Sequence, residues 1–119
     1  MKILVVDDSK AMRMIVLRAL RQSGFGDAET IEAEDGAQAL EKVRDEQPDL
    51  ILSDWNMPNL TGIEFLKELR ASGNETTFGF VTSESTPAMR EQAIAAGAAF
   101  LIAKPFTPDA FEAVLSTVS

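Results

Sequence analysis

Five times along this chain a short apolar run gives way to a stretch with helical spacing, a rhythm that few folds accommodate. The runs are Lys2–Val6, Ala28–Ala33, Asp49–Ser53, Thr77–Thr82 and Ala99–Ala103, each of strand length. After the first run, Met12, Ile15, Val16, Ala19 and Leu20 fall on one helical stripe, and Gly24 ends that helix. Asp35 with Gln38, and Thr61 with Glu64, have capping-box spacing, so helices start just after Asp35 and Thr61. Thr86-Pro87 and Thr107-Pro108 place an N-cap before a proline at the first helical position. The last helix should bury Ala110, Phe111, Val114, Leu115 and Val118. Strands alternating with helices over short loops require an α/β fold, a parallel sheet covered by helices on both faces. The second run carries Glu29, Thr30 and Glu32 and suits a sheet edge.

The length of 119 residues fits one domain with one core, and no repeat, linker or low-complexity tract divides it. A single domain at residues 1–119 is therefore expected. No run reaches the roughly 18 apolar residues of a membrane span. "MKILVVDD" meets two acids too early to be a secretory signal, and a cytoplasmic location is expected. The chain has no cysteine and no histidine. That excludes Ser-His and Cys-His catalysis, thiolate or imidazole zinc sites and disulfides. A net charge of −8 argues against nucleic acid as a partner, since phosphate contacts need clustered Lys and Arg.

The placement of the acids says more than their sum. Asp7 and Asp8 follow the first strand, Asp54 the third and Lys104 the fifth, while Thr82 ends the fourth. All are at carboxyl ends of strands, where open α/β sheets bind ligands. Alone, each has a plain reading. Asp7-Asp8 could be a solvated turn beside a helix dipole, Asp54 a turn residue, Thr82 a strand end, and Lys104-Pro105 a loop. Together they converge on one crevice. Two carboxylates ~4 Å apart repel by about 4 kcal/mol at an effective dielectric of ~20. Three such pairs approach the whole stability of a domain, about 5–15 kcal/mol. Something positive belongs there, and an all-oxygen site selects a hard cation such as Mg²⁺. Beside Mg²⁺ and Lys104, a carboxylate is a plausible nucleophile toward phosphorus. A flavin phosphate fits poorly against Asp7 and Asp8, and haloacid-type phosphatases set their two acids two residues apart after the first strand.

With "VVDDS", "SDWNMPNLTG", "VTSE" and "AKPF", the whole chain resembles the receiver domains of bacterial two-component response regulators, in character the single-domain chemotaxis type. The resemblance implies a flavodoxin-like, doubly wound sheet in the order 2-1-3-4-5. It implies Asp54 as phosphoacceptor, charged by a sensor histidine kinase or phosphotransfer protein. It also implies Mg²⁺ held directly by Asp8 and Asp54, by Asp7 largely through water, and by the backbone carbonyl of Asn56. Thr82 and Lys104 would contact the phosphoryl group, and Lys104–Pro105 would be cis. On this reading the protein is a monomeric signalling switch rather than a classical enzyme. It assists its own phosphotransfer and dephosphorylation, and partners read its helix 4–strand 5–helix 5 face. The competing reading is a docking module indifferent to phosphate. One position departs from the family. Leu101, three residues before the lysine, replaces the usual Tyr or Phe, and Phe100 beside it should face the other way.

Overall fold

The computed structural model describes residues 1–117. The apolar runs form β1 (Lys2–Val6), β2 (Glu29–Ala33), β3 (Leu50–Ser53), β4 (Thr77–Thr82) and β5 (Phe100–Ala103). They pair in parallel in the order β2-β1-β3-β4-β5, with the acidic second strand at an edge. The helices are α1 (Lys10–Leu20), α2 (Gly36–Glu46), α3 (Gly62–Ala71), α4 (Pro87–Ala95) and α5 (Pro108–Leu115). β2, β3 and β5 start one residue after the apolar runs. Even so, Asp49 N–H reaches the Lys2 carbonyl at 2.7 Å and Ala99 N–H the Phe78 carbonyl at 2.7 Å, so those residues still join the neighbouring strand.

Alternation along the strands divides the core in two. Leu4, Val6, Ile51, Phe78, Phe80 and Leu101 face α2, α3 and α4. Ile3, Val5, Leu52, Val81, Phe100 and Ile102 face α1 and α5. Phe100 and Leu101 therefore lie on opposite faces, as the sequence suggests. The ring of Phe100 covers Gly79 on the neighbouring strand, where any Cβ would overlap it. Among the described residues no helix is long and apolar enough to cross a membrane.

Two expected helix faces need correction. Helix α1 buries Arg13, Val16, Ala19 and Leu20. Met12 is only half-buried, and Ile15 is 48% exposed. The helix is rotated because the Arg13 guanidinium finds partners inside, and apolar periodicity counts an arginine as outward. Met12 and Ile15 instead line a cleft of about 400 Å³ with Ser83, Lys104, Pro105 and Phe106. Gly24, with φ 87°, lies in a wide turn at Arg21–Phe25 that prolongs α1 before the chain reverses. In α5, Phe111 and Leu115 are buried and Val114 half-buried, but Ala110 is exposed. Val118 lies outside the described residues.

All four expected N-caps form. Thr61 and Glu64 make the full reciprocal box, and Thr86 and Thr107 cap helices that begin with proline. Asp35 accepts the Gln38 N–H at 2.8 Å, but the Gln38 side chain takes the Glu34 N–H, one residue before the expected one. The other Asp35 oxygen accepts from Asn59 at 3.0 Å and so pins the β3–α3 loop to α2. The Gln38 N–H first, and then the Asn59 amide, hold the Asp35 carboxyl below its usual range. Its stabilisation is therefore present above the unfolded value of about 3.9 and is lost as pH falls through the lower folded value. We expect Asp35→Ala to cost about 1–2 kcal/mol near pH 7. Asp35→Asn, still a good cap, should keep most of that while losing the acid sensitivity. Urea unfolding near neutrality and near pH ~3 checks both, and equal acid sensitivity in Asp35→Asn would count against the assignment.

Candidate functional site

The sheet continues for one bonded residue past β1, β3 and β5. Asp7 N–H donates to the Ala33 carbonyl at 3.1 Å, Asp54 N–H to the Val6 carbonyl at 2.8 Å, and Lys104 N–H to the Thr82 carbonyl at 2.8 Å. Backbone pairing, rather than side-chain packing, thus delivers two of the acids and the lysine to one rim. Asp7, Asp8 and Asp54 each offer a carboxylate oxygen, and these oxygens lie within 4.8 Å of one another. Asp7 is buried, Asp54 half-buried and Asp8 exposed.

Lys104 closes this cluster from β5. Its Nζ is 2.9 Å from Asp7 Oδ2 and 3.7 Å from Asp54 Oδ1. The other Asp7 oxygen accepts the Ser9 N–H at 2.9 Å, which commits both oxygens of that carboxylate within the protein. Asp54 Oδ1 accepts the Trp55 N–H at 2.8 Å. Burial pushes the Asp54 carboxyl above its usual range; Lys104 opposes this and Asp7 adds to it. The Trp55 N–H and the Thr82 hydroxyl lower it by less. Thr82 is fully buried, and its hydroxyl accepts the Glu84 N–H at 3.4 Å. The Asn56 side chain is turned away, donating to Glu84 Oε1 at 3.3 Å. The peptide between Lys104 and Pro105 is cis. All six residues singled out in the sequence therefore lie on or beside one rim.

The donor set fits Mg²⁺. It holds oxygen ligands only, three carboxylates against one ammonium, and one of the acids is exposed. A small hard cation with several waters suits such a place.

Two residues that matter here escaped the reading of the sequence. Gly62 opens α3 with its N–H on the Trp55 carbonyl at 2.8 Å, and a Cβ there would overlap the Asp54 carbonyl. A glycine, poor in helices, directly after the N-cap Thr61 was the available signal. Arg13 is the other. Its charge stands three and seven residues before Val16 and Leu20 on the buried stripe, spacing that could have shown it points inward.

A family model described as the response regulator receiver domain matches residues 3–116. The chain is 38% identical over 122 residues to the chemotaxis protein CheY1 of Helicobacter pylori strain J99, covering 99% of this chain and 96% of that protein. It is 38% identical over 119 residues to the chemotaxis protein CheY of Bacillus subtilis strain 168, covering 99% and 98%. Among solved structures it is similar to the chemotaxis protein CheY4 of Vibrio cholerae, with TM-score 0.87, 36% identity and coverage of 99% and 98%. It is also similar to the receiver domain of the Francisella response regulator 1452, with TM-score 0.83, 28% identity and coverage of 98% and 93%.

Proposed function

Because the chain belongs to the family of response regulator receiver domains, we propose that it is a phosphoacceptor switch that takes a phosphoryl group on Asp54. One observation carries this reading. The half-buried Asp54 shares its rim with two further acids and with a lysine that already bridges two of the three. An Asp54 oxygen attacks phosphorus in a partner's phosphohistidine, the P–N bond breaks as the P–O bond forms, and the imidazole leaves with its electron pair. Trp55 N–H holds one Asp54 oxygen and so leaves the other oriented for attack. Lys104 faces the arriving phosphoryl oxygens as a point charge, and the Thr82 hydroxyl donates to one of them. Asp8, Asp54 and the Asn56 carbonyl would hold Mg²⁺ directly and Asp7 largely through water. Bound there, the ion would supply neutralising charge for the phosphoryl oxygens.

A small phosphodonor with Mg²⁺, followed by mass mapping, tests the reading. The expected result is one acid-labile phosphoryl group on Asp54, which does not form when Mg²⁺ is chelated before the donor is added. No modification at any Mg²⁺ concentration would favour the phosphate-indifferent docking module. Once Asp54 is shown to be modified, incubation with a panel of histidine kinases would identify the donor.

Output is expected on the face made by α4, β5 and α5. A swinging ring has no place in it, because Leu101 is buried among α4-side residues and Phe100 is seated over Gly79 on the other face. Thr82 remains as the contact between the phosphoryl group and the 83–86 loop leading to α4. Phe100→Leu should therefore lose packing stability yet keep the phosphorylation-dependent amide shifts of residues 84–97. Thr82→Ala should lose those shifts while Asp54 still accepts phosphate. The reverse pattern would sink this route.

A further inference from the structure

Among the described residues, Arg13 is the only basic side chain that is buried, at 7% exposure, and phosphotransfer as set out above makes no use of it. Its Nη1 donates to the Asp7 carbonyl at 2.7 Å, and its Nε pairs with Glu32 Oε1 on β2 at 2.9 Å. Stability alone is a weak reason for it. A buried guanidinium carries a desolvation penalty that an apolar side chain of similar size, on the buried face of α1 with Val16 and Leu20, would avoid.

The carbonyl it holds belongs to the peptide joining Asp7 to Asp8. That peptide is planar, so the direction of its C=O also fixes the N–H and Cα of Asp8. Asp7 needs no help, because its N–H is bonded to Ala33 and its carboxylate to Ser9 and Lys104. Asp8, exposed beyond the last paired residue, has its direction set by this peptide. We propose that Arg13 is a positioning residue for the cation site: bridged to Glu32, it orients the Asp7–Asp8 peptide and thereby aims the Asp8 carboxylate. This rests on the reading of the acidic rim as a Mg²⁺ site.

Charge and position make opposite predictions. If the guanidinium acted on the site only through its positive charge, removing it would tighten Mg²⁺ binding. If it acts by position, removing it weakens binding, and loss of a residue that orients a metal ligand typically costs ~10–100-fold in affinity. The test titrates Mg²⁺ into wild type, Arg13→Met, Arg13→Met/Glu32→Gln and Arg13→Lys, following Trp55 emission and heat. Thermal melting in chelator is measured alongside. The expected result is affinity weakened about 10-fold or more in Arg13→Met and in the double variant, whose net charge is that of the wild type. Arg13→Lys, with a single donor nitrogen and no second arm for Glu32, should fall between.

Val16→Ala, one turn along the same buried face, supplies the structural control: its melting temperature should drop with Mg²⁺ affinity unchanged. Equal or tighter Mg²⁺ binding in folded Arg13→Met overturns the inference, as does equal weakening in Val16→Ala. Should Arg13→Met fail to fold, Arg13→Lys decides, and wild-type affinity there overturns it. A wild-type protein that binds no Mg²⁺ overturns the reading of the rim as a Mg²⁺ site and the inference with it, an outcome distinct from equal binding by all variants.

Discussion

Asp54→Asn should show no Mg²⁺-dependent labelling at residue 54 by a phosphodonor, a loss to the detection limit at that position. The amide lacks the anionic oxygen that attacks phosphorus, and its oxygen is a poor ligand for Mg²⁺. Asp7 cannot replace it, with one oxygen on Lys104 and the other on the Ser9 N–H. Asp8, exposed at the rim, is the acid able to label slowly in its place, and mass mapping would reveal that. Labelling of the variant at the wild-type rate means the acceptor is misassigned. Stability supplies an independent reading with the opposite sign. Burial, and less strongly Asp7, raise the folded pKa of Asp54. Its favourable contribution is thus present below the unfolded value of about 3.9 and lost as pH rises through the folded value. In chelator near neutrality, Asp54→Asn should be at least as stable as the wild type by urea unfolding. An inactive variant that is also markedly destabilised would instead point to a structural role.

The second large effect is expected at Gly62, where the ordinary helix argument gives the wrong sign. Alanine at an exposed helical position is favoured over glycine by about 1 kcal/mol. Here a Cβ would meet the Asp54 carbonyl, the Trp55 Cα at 3.0 Å and a Phe80 ring carbon at 2.9 Å. Two of those three are backbone, and Phe80 is wedged between Trp55 and Phe78 with ring centroids 4.7 and 5.0 Å away. Nothing can retreat cheaply. Overpacking of this kind costs about 1–3 kcal/mol, and Gly62→Ala should lie at the upper end. Because the strain falls on the backbone of Asp54, Mg²⁺ binding followed by Trp55 emission should weaken as well. A Gly62→Ala protein as stable as the wild type would show that the turn has room to move.

Much of this arrangement was legible because its signals are local. Asp35, Thr61, Thr86 and Thr107 each cap the helix that follows through a neighbour three residues on, a pattern visible in any short window. The rim was legible for a similar reason: a parallel sheet puts every strand's carboxyl end on the same side. Strand order was another matter. No spacing in the chain distinguishes β1 between β2 and β3 from other arrangements, and it came from family resemblance. Position-by-position burial also escaped. Asp7 and Asp8 are adjacent in sequence, yet one is 3% exposed and tied by three groups while the other is exposed. The inward turn of Arg13, and the outward turn of Ile15 that goes with it, depend on a partner in β2 nineteen residues away.

Helix α4 is held far more lightly than α3. Ala93 is its one buried residue, against five in α3, and Arg90 adds a long bond of 3.4 Å to the Leu101 carbonyl. A buried methyl-sized group contributes about 0.8 kcal/mol, whereas a hydrogen bond to a charged group is worth about 1.5–3 kcal/mol. One contact between Thr82 and a phosphoryl oxygen would thus be of the same order as the hold that Arg90 and Ala93 have on the helix. In the proposed switch the same light hold would set the background signal. Were the proposed switch to move α4 between two placements ~2 kcal/mol apart, roughly 3% of unphosphorylated molecules would already occupy the active one. On the proposed function, a switch that is easy to throw is also leaky, and its resting output would be set at Ala93 and Arg90 rather than at the acids.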